Sequence, residues 1–352
     1  MFNHVPVLLL LASVLTSLIE SRKTFALIVS SSRYWPNYRD KTNIAFFYNT
    51  VKSLGVPDRR IISMFSDEIQ CHPRNPFPGL LYDNNPRLAS PVSPGRVTVR
   101  GNEVSRENFF RILHQRHAPF TPRYRRLEVD SESQIFVYFT GHSAVGYTKF
   151  QDYEDVDAND IAHAIEHLWR AASYSQLLWI GDTCRAASIH NAFYSPNITA
   201  IGSSNEIDKS YSMPTVIEIG ESVIDRFTYI SKEAFQTLKT SDLTIGEYMG
   251  NMDPVWMGAQ VTHRVTEAGV GLGGKLVDLL SSSLGVSPSA QALHWRYTNT
   301  IRQREDSSVL SRLSRNGKTN AASYSIHLSS EHVSWSIFWL VPLVLIGFLL
   351  AI

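Results

Sequence analysis

Five short apolar runs constrain this chain more than any other feature. They are Phe25 to Ser30 (FALIVS), Ile61 to Phe65, Gln134 to Thr140 (QIFVYFT), Leu177 to Ile180 and Ile198 to Gly202. Each is too short for an ordinary helix, and near-continuous apolar runs of this length suit strands buried on both faces of a parallel sheet. Helical patterns lie between them. Asn43 to Leu54 places Ile44, Phe47, Val51 and Leu54 at helical spacing, with Gly55 and Pro57 as a stop. Asn108 to Leu113, Ala158 to Ala172 and Val216 to Leu238 read as further helices. The acidic stretch Asp152, Glu154, Asp155, Asp157 and Asp160 suits the N-terminus of the second of these. Strands that alternate with helices require right-handed crossovers, so the expected fold is α/β, a mostly parallel central sheet with helices on both faces. Leu177 to Ile180 is expected to break at Gly181. Residues 71 to 101, rich in Pro, Asn and Gly, are expected to form a long loop.

The two ends carry a different signal. Val5 to Ile19 is apolar without a charge until Glu20, and a strand pattern follows directly. Residues 1–22 therefore read as a secretory signal peptide, with a retained signal anchor as the alternative. Trp335 to Ile352 is apolar apart from Ser336 and begins with Trp335 and Trp339. A bilayer core of about 30 Å needs about 20 such residues, and Trp suits its boundary, so 335–352 reads as a C-terminal transmembrane helix. Asn320, Ala321 and Ala322, with the polar spacer after them, also match a removable GPI-attachment signal. The expected organisation is a folded α/β domain at 23–240, an extension and Ser-rich stalk at 241–334, and the span. With 33 basic against 32 acidic residues the net charge is +1. Neither this balance nor any basic aromatic stripe supports a nucleic-acid partner.

Two of the strands end in reactive residues, Gly141-His142 and Asp182-Thr183-Cys184. In open parallel sheets active sites gather beyond the carboxyl ends of the strands. If these strands are neighbours, His142 faces Cys184, takes the thiol proton and later returns one to a leaving amine. Backbone N–H groups at Cys184 and Ser143 then become candidates for an oxyanion hole. Taken singly, a Cys after a strand is more often a small buried apolar residue, and a lone His a surface group.

The strand-Gly-His and strand-Asp-Thr-Cys pair resembles the legumain-type clan of cysteine peptidases, which includes the caspases. Further segments resemble one family within it, the catalytic subunits of GPI-anchor transamidases. They are Ser31-Ser32-Arg33-Tyr34-Trp35-Pro36-Asn37-Tyr38-Arg39, Gly55-Val56-Pro57-Asp58, Cys71-His72-Pro73-Arg74-Asn75-Pro76, Lys149-Phe150-Gln151-Asp152 and Phe193-Tyr194-Ser195-Pro196-Asn197-Ile198. The likeness runs from about residue 24 to about residue 230. It implies a caspase-like fold and a two-step exchange. Cys184 attacks a proprotein carbonyl and releases a hydrophobic C-terminal signal, and the ethanolamine amine of a GPI lipid then attacks the thioester. By the same resemblance Asn37 orients His142, whereas the residue alone reads equally as a turn former. Cys71 is implied to form an intermolecular disulfide with the T-type subunit, a free loop thiol being the plain alternative. The resemblance also implies S-, U- and GPI-attachment-type subunits as partners, and a single-pass protein of the endoplasmic reticulum membrane with its catalytic domain in the lumen.

The sequence departs from the family at three places. Gly141-His142-Ser143-Ala144 stands where the family has Gly-His-Gly-Gly, and a positive φ at Ser143 is costly. Arg185 follows the cysteine where Gln is usual, placing a cation beside the thiolate. Arg87 to Arg100 holds no Asp or Glu to join Asp58 in a calcium site, so no metal is assigned, and no cofactor either. His163 and His167, four apart, have zinc-like spacing but no third ligand in view, and a solvated face is the better reading. Two other functions stay open at this point: a legumain-like endopeptidase that hydrolyses, and a non-catalytic scaffold subunit.

Overall fold

The computed structural model describes residues 23–83, 93–237 and 242–282. The expected signal peptide, nearly all of the Ser-rich stalk and the C-terminal span lie outside these residues. No helix among the described residues is long and apolar enough to cross a membrane.

Ten strands and eight α-helices make up this region. The strands are β1 (Lys23–Ser30), β2 (Ile61–Phe65), β3 (Val99–Arg100), β4 (Ser133–Gly141), β5 (Ser143–Ala144), β6 (Tyr147–Phe150), β7 (Glu154–Asp157), β8 (Gln176–Thr183), β9 (Ile198–Gly202) and β10 (Thr262–Val265). The helices are α1 (Tyr38–Ser53), α2 (Arg106–Leu113), α3 (Ala158–Arg170), α4 (Ala186–His190), α5 (Arg226–Thr237), α6 (Ile245–Gly250), α7 (Pro254–Met257) and α8 (Leu276–Leu280). Seven strands form one sheet in the order β10-β9-β8-β4-β1-β2-β3. All of its pairs are parallel except β10 with β9. β5, β6 and β7 form a separate antiparallel sheet.

Strand alternation divides the core in two. Phe25, Leu27 and Val29 of β1, Ile135, Val137 and Phe139 of β4, and Leu177 and Trp179 of β8 face one cluster with α2 and α3. Ala26, Ile28, Phe136, Tyr138, Leu178 and Ile180 face the other, with α1, α5, α6 and α8. Successive side chains of a strand point to opposite faces, so burial on both faces accounts for the unbroken apolar runs. The expected arrangement of helices on both faces is present.

Three local expectations are corrected. β8 does not break at Gly181: it runs on to Thr183, with Gly181 paired to Phe139 and Gly202. A Cβ at Gly181 would come within 3.1 Å of the Trp179 indole nitrogen, so the glycine marks a close approach within the strand. The helix expected from Val216 starts only at Arg226. Val216, Ile219, Val223 and Ile224 do bury, but from a loop held by the bridges Val216–Glu221 and Ser212–Asp225, packing on Trp35, Tyr38 and Ile69. Of the acidic stretch, Glu154 to Asp157 is strand β7. Only Asp157, the N-cap that accepts from the Asn159 N–H, and Asp160 in the first turn serve the helix. Packing also continues past the boundary expected near residue 240. β10 extends the sheet, and Leu276, Leu279 and Leu280 enter the α1 face of the core.

Candidate active site

The ladder between β4 and β8 ends at the pair Gly141–Thr183. His142 and Cys184 are therefore the next residue on each of two adjacent parallel strands, which lie about 4.8 Å apart. The register brings the two expected residues together at the carboxyl edge of the sheet. Gly141 makes the turn into His142 with φ 150, and a Cβ there would run into the Ser31 hydroxyl. That site admits only glycine without displacement.

The loop after His142 is resolved in a way the motif does not announce. Ser143 is absent from the positive-φ residues of the described chain and sits in β5, paired with Thr148. Its hydroxyl donates to the Cys184 carbonyl, tying the histidine loop to the cysteine loop. The His142 carbonyl accepts from the Lys149 N–H at 2.9 Å and the Thr148 hydroxyl at 3.2 Å. On the other strand the strain falls at Arg185, with φ 53 and ψ 34 as N-cap of α4. Its N–H donates to the Asp208 carbonyl at 2.8 Å, and the Ser204 hydroxyl accepts from the Ala186 N–H at 3.0 Å. Cys184 is half-buried and free, with Sγ 4.0 Å from the Ser210 carbonyl oxygen.

Beneath these strand ends lies a charged network that sequence reasoning missed. Asp182, buried, accepts from Tyr138 at 3.1 Å, Thr228 at 2.9 Å and Ser210 at 3.1 Å. Burial holds its carboxyl above the usual carboxylate range, a rise these hydroxyls offset only in part. Asp225, also buried, lies 3.1 Å from Arg39 Nε and accepts from Asn43 at 2.6 Å. Burial likewise pushes it well above the carboxylate range, against Arg39. Asp40 stands 3.7 Å from the same Arg39 nitrogen. Lys41, fully buried, donates to the Ser30 hydroxyl and the Ser32 carbonyl at 2.5 Å and to the Ser66 hydroxyl at 3.0 Å. Burial lowers its ammonium to about 8. The only sequence signal was negative, a helix whose first turn, Tyr38 to Thr42, lacks apolar spacing yet is buried on most positions.

The remaining expected residues are placed as follows. Asn37 is buried and gives its side-chain amide to the Arg33 carbonyl at 2.5 Å. Among the described residues it makes no hydrogen bond to His142. The group at ion-pair distance from His142 is Asp152, with Oδ1 4.0 Å from Nε2. Cys71 is exposed and free at the end of a short 3-10 turn. Buried Asn75, donating to the carbonyls of Gln70, Phe77 and Leu80, fixes the segment that presents it. His163 and His167 do not converge: His167 packs on His114 at 5.0 Å and His163 on Tyr194 at 6.2 Å. Among the described residues no three His, Cys, Asp or Glu side chains group as metal ligands.

A half-buried thiol and an imidazole just past the ends of adjacent strands are groups that can serve as nucleophile and base in acyl transfer or peptide hydrolysis. Residues 24–252 match the model of the Peptidase C13 family. The chain belongs to the Peptidase C13 family. It is 42% identical over 223 residues to the GPI-anchor transamidase of Saccharomyces cerevisiae, covering 63% of this chain and 54% of that protein. To the Schizosaccharomyces pombe GPI-anchor transamidase it is 38% identical over 250 residues, covering 70% and 66%. To the human GPI-anchor transamidase it is 39% identical over 221 residues, covering 62% and 56%. The match thus spans between about half and two thirds of the length of these relatives. Caspase-1 from Spodoptera frugiperda aligns over 72% of this chain and 92% of its own, at 8% identity and a TM-score of 0.38, a likeness too small to argue from.

Proposed function

We propose that this C13-family chain is the catalytic subunit of a GPI-anchor transamidase. Cys184 attacks the carbonyl at a proprotein's attachment residue, the C-terminal signal leaves, and the resulting thioester is resolved by the ethanolamine amine of a GPI lipid. His142 accepts the thiol proton, donates to the departing amine, and accepts again from the incoming one. The observation that supports this reading is the strand register: the β4–β8 ladder ends at Gly141–Thr183, one residue before His142 and Cys184, in a chain 42% identical over 223 residues to a GPI-anchor transamidase. Backbone N–H groups of Ser143 and Cys184 are the oxyanion candidates. Asn37 acts on His142 only indirectly, holding the Arg33 carbonyl while the Arg33 guanidinium bonds to Gln151 of the hairpin beside the histidine loop. No cofactor is needed for this chemistry.

The same reading assigns the chain to a multi-subunit complex in the endoplasmic reticulum membrane, with a caspase-like catalytic domain in the lumen and a single C-terminal span. Exposed Cys71, a free thiol on a fixed segment, is the group available for a disulfide to the T-type subunit, with S-, U- and GPI-attachment-type subunits completing the assembly. Complementation tests it. In cells lacking the endogenous catalytic subunit, the wild-type chain restores GPI-anchored proteins at the surface and Cys184→Ala does not. Equal rescue by both rejects Cys184 as the nucleophile. Cleaved but unanchored products from the wild type would favour hydrolysis, the activity of a legumain-like peptidase.

A further inference from the structure

The hairpin bearing Asp152 is held more firmly than a surface turn requires. β6 and β7 are joined through Gln151, Asp152 and Tyr153, the first two at positive φ, 52 and 69. Residues with a Cβ keep such angles only where their surroundings enforce them. Here Gln151 does the enforcing. It is buried, its N–H donates to the Ser31 carbonyl at 2.8 Å, and its side-chain nitrogen donates to the carbonyls of Gly101 at 2.9 Å and Val104 at 2.5 Å. Its side-chain oxygen accepts from Arg33 at 3.0 Å. Lys149 and Thr148 also bind the His142 carbonyl, so the hairpin and the histidine loop are joined by direct hydrogen bonds.

This rigidity fixes a gap. Asp152 Oδ1 stands 4.0 Å from His142 Nε2, and both side chains are about two-fifths exposed, at 40% and 42%. Among the described residues no lysine or arginine forms an ion pair with Asp152. Lys149, on the same hairpin, bonds to Asp155 at 2.8 Å instead. A separation of 4.0 Å is too long for a hydrogen bond between the two groups. It is the base of a triangle that closes on a third atom about 2.8 Å from each, the length of a charge-assisted N–H···O bond. One edge of that space offers negative charge and the other a proton acceptor. The chemistry that fits both is a primary ammonium.

We propose that Asp152 and His142 form the acceptor site of the reaction, seating a primary ammonium between Oδ1 and Nε2. The proposal rests on the transamidase reading above. In the step it describes, His142 takes one proton from the ammonium and passes it to solvent, freeing the nitrogen lone pair. That pair forms the C–N bond at the thioester carbon, and the C–S bond breaks when the tetrahedral intermediate collapses. The second proton lost by nitrogen passes through His142 to the departing thiolate of Cys184. Water, carrying no charge, gains nothing comparable from Asp152, so the site favours transfer over hydrolysis.

The test uses the full chain in membranes from complemented cells that lack the endogenous subunit. A proprotein substrate is supplied with ethanolamine, a cation at pH 7, or with hydroxylamine, which is mostly neutral there. Release of the C-terminal signal is followed separately from adduct formation. Losing one charge-assisted contact, Asp152→Asn lowers ethanolamide formation about tenfold and hydroxamate formation by no more than about twofold. Asp152→Glu recovers part of the ethanolamide yield. A parallel fall of both adducts in Asp152→Asn, or no fall in either, overturns the acceptor site. Wild-type membranes that release the signal but form neither adduct overturn the transfer reading itself, a separate failure.

Discussion

Replacing Gly141 by alanine tests how tightly the sheet edge dictates the position of His142. Two costs are expected. A φ of 150 is open to glycine and unfavourable for alanine, at about 1–3 kcal/mol. The new methyl group also meets the Ser31 hydroxyl, with Ser31 Cβ at 3.4 Å, and overpacking of that kind costs about 1–3 kcal/mol. Gly141→Ala should therefore destabilise the chain by about 2–6 kcal/mol in urea unfolding of the detergent-solubilised protein. Gly146 supplies the control, because its φ is 79 but nothing lies within 4 Å of a Cβ there. Gly146→Ala carries the backbone cost alone, about 1 kcal/mol. Removing the hydroxyl in the double variant Ser31→Ala/Gly141→Ala should recover about 1–2 kcal/mol of the steric part, a coupling readable in a double-mutant cycle. Equal destabilisation by Gly141→Ala and Gly146→Ala, or no recovery from the Ser31 change, would refute a steric clash at this strand end.

Other outcomes follow from the floor of the site. Native Lys41 releases its proton near 8 and the unfolded side chain near 10.5, so the unfolded state binds more protons between them and stability rises with pH there. The slope from pH 8 to 10 should approach about 1.4 kcal/mol per unit from this group and vanish in Lys41→Met; identical slopes in unfolding midpoints would contradict the burial. Tyr138→Phe keeps the ring stacked 4.0 Å from Phe47 but loses the hydroxyl shared with Asp182 and Thr228, at a cost of about 1–2 kcal/mol. Unchanged stability would mean that contact contributes nothing. Arg185→Gly should stabilise the chain by about 0.5–1 kcal/mol, because φ 53 is free for glycine. A lower melting temperature would show that the Arg185 side chain holds more than the strain it carries.

Much of the fold was legible because parallel strands buried on both faces leave an unmistakable trace. FALIVS and QIFVYFT became β1 and β4 within a residue or two, and the reactive residues at the ends of β4 and β8 fell where sheet geometry places a site. What misled the reading was chemistry whose local pattern has two structural solutions. Gly181 reads as a breaker but sits inside a ladder, admitting the Trp179 indole. Val216, Ile219, Val223 and Ile224 have spacing close to helical, yet they anchor a loop onto Trp35 and Tyr38. The polar floor was invisible for a related reason. Arg39, Asp40, Lys41, Asp182 and Asp225 look like surface residues until tertiary packing buries them together. Asp152 was counted with a helix N-terminus because its approach to His142 depends on a turn with no signal in the sequence.

The central claim is that Cys184 carries the acyl group and an amine removes it. Its most direct measurement is mass spectrometry of the new C-terminus formed when membranes holding the full chain process a proprotein in the presence of hydroxylamine. The account predicts a hydroxamate at the attachment residue with the wild type, and none with Cys184→Ala or His142→Ala. A hydroxamate formed by Cys184→Ala, or only free carboxyl termini from the wild type, would contradict it.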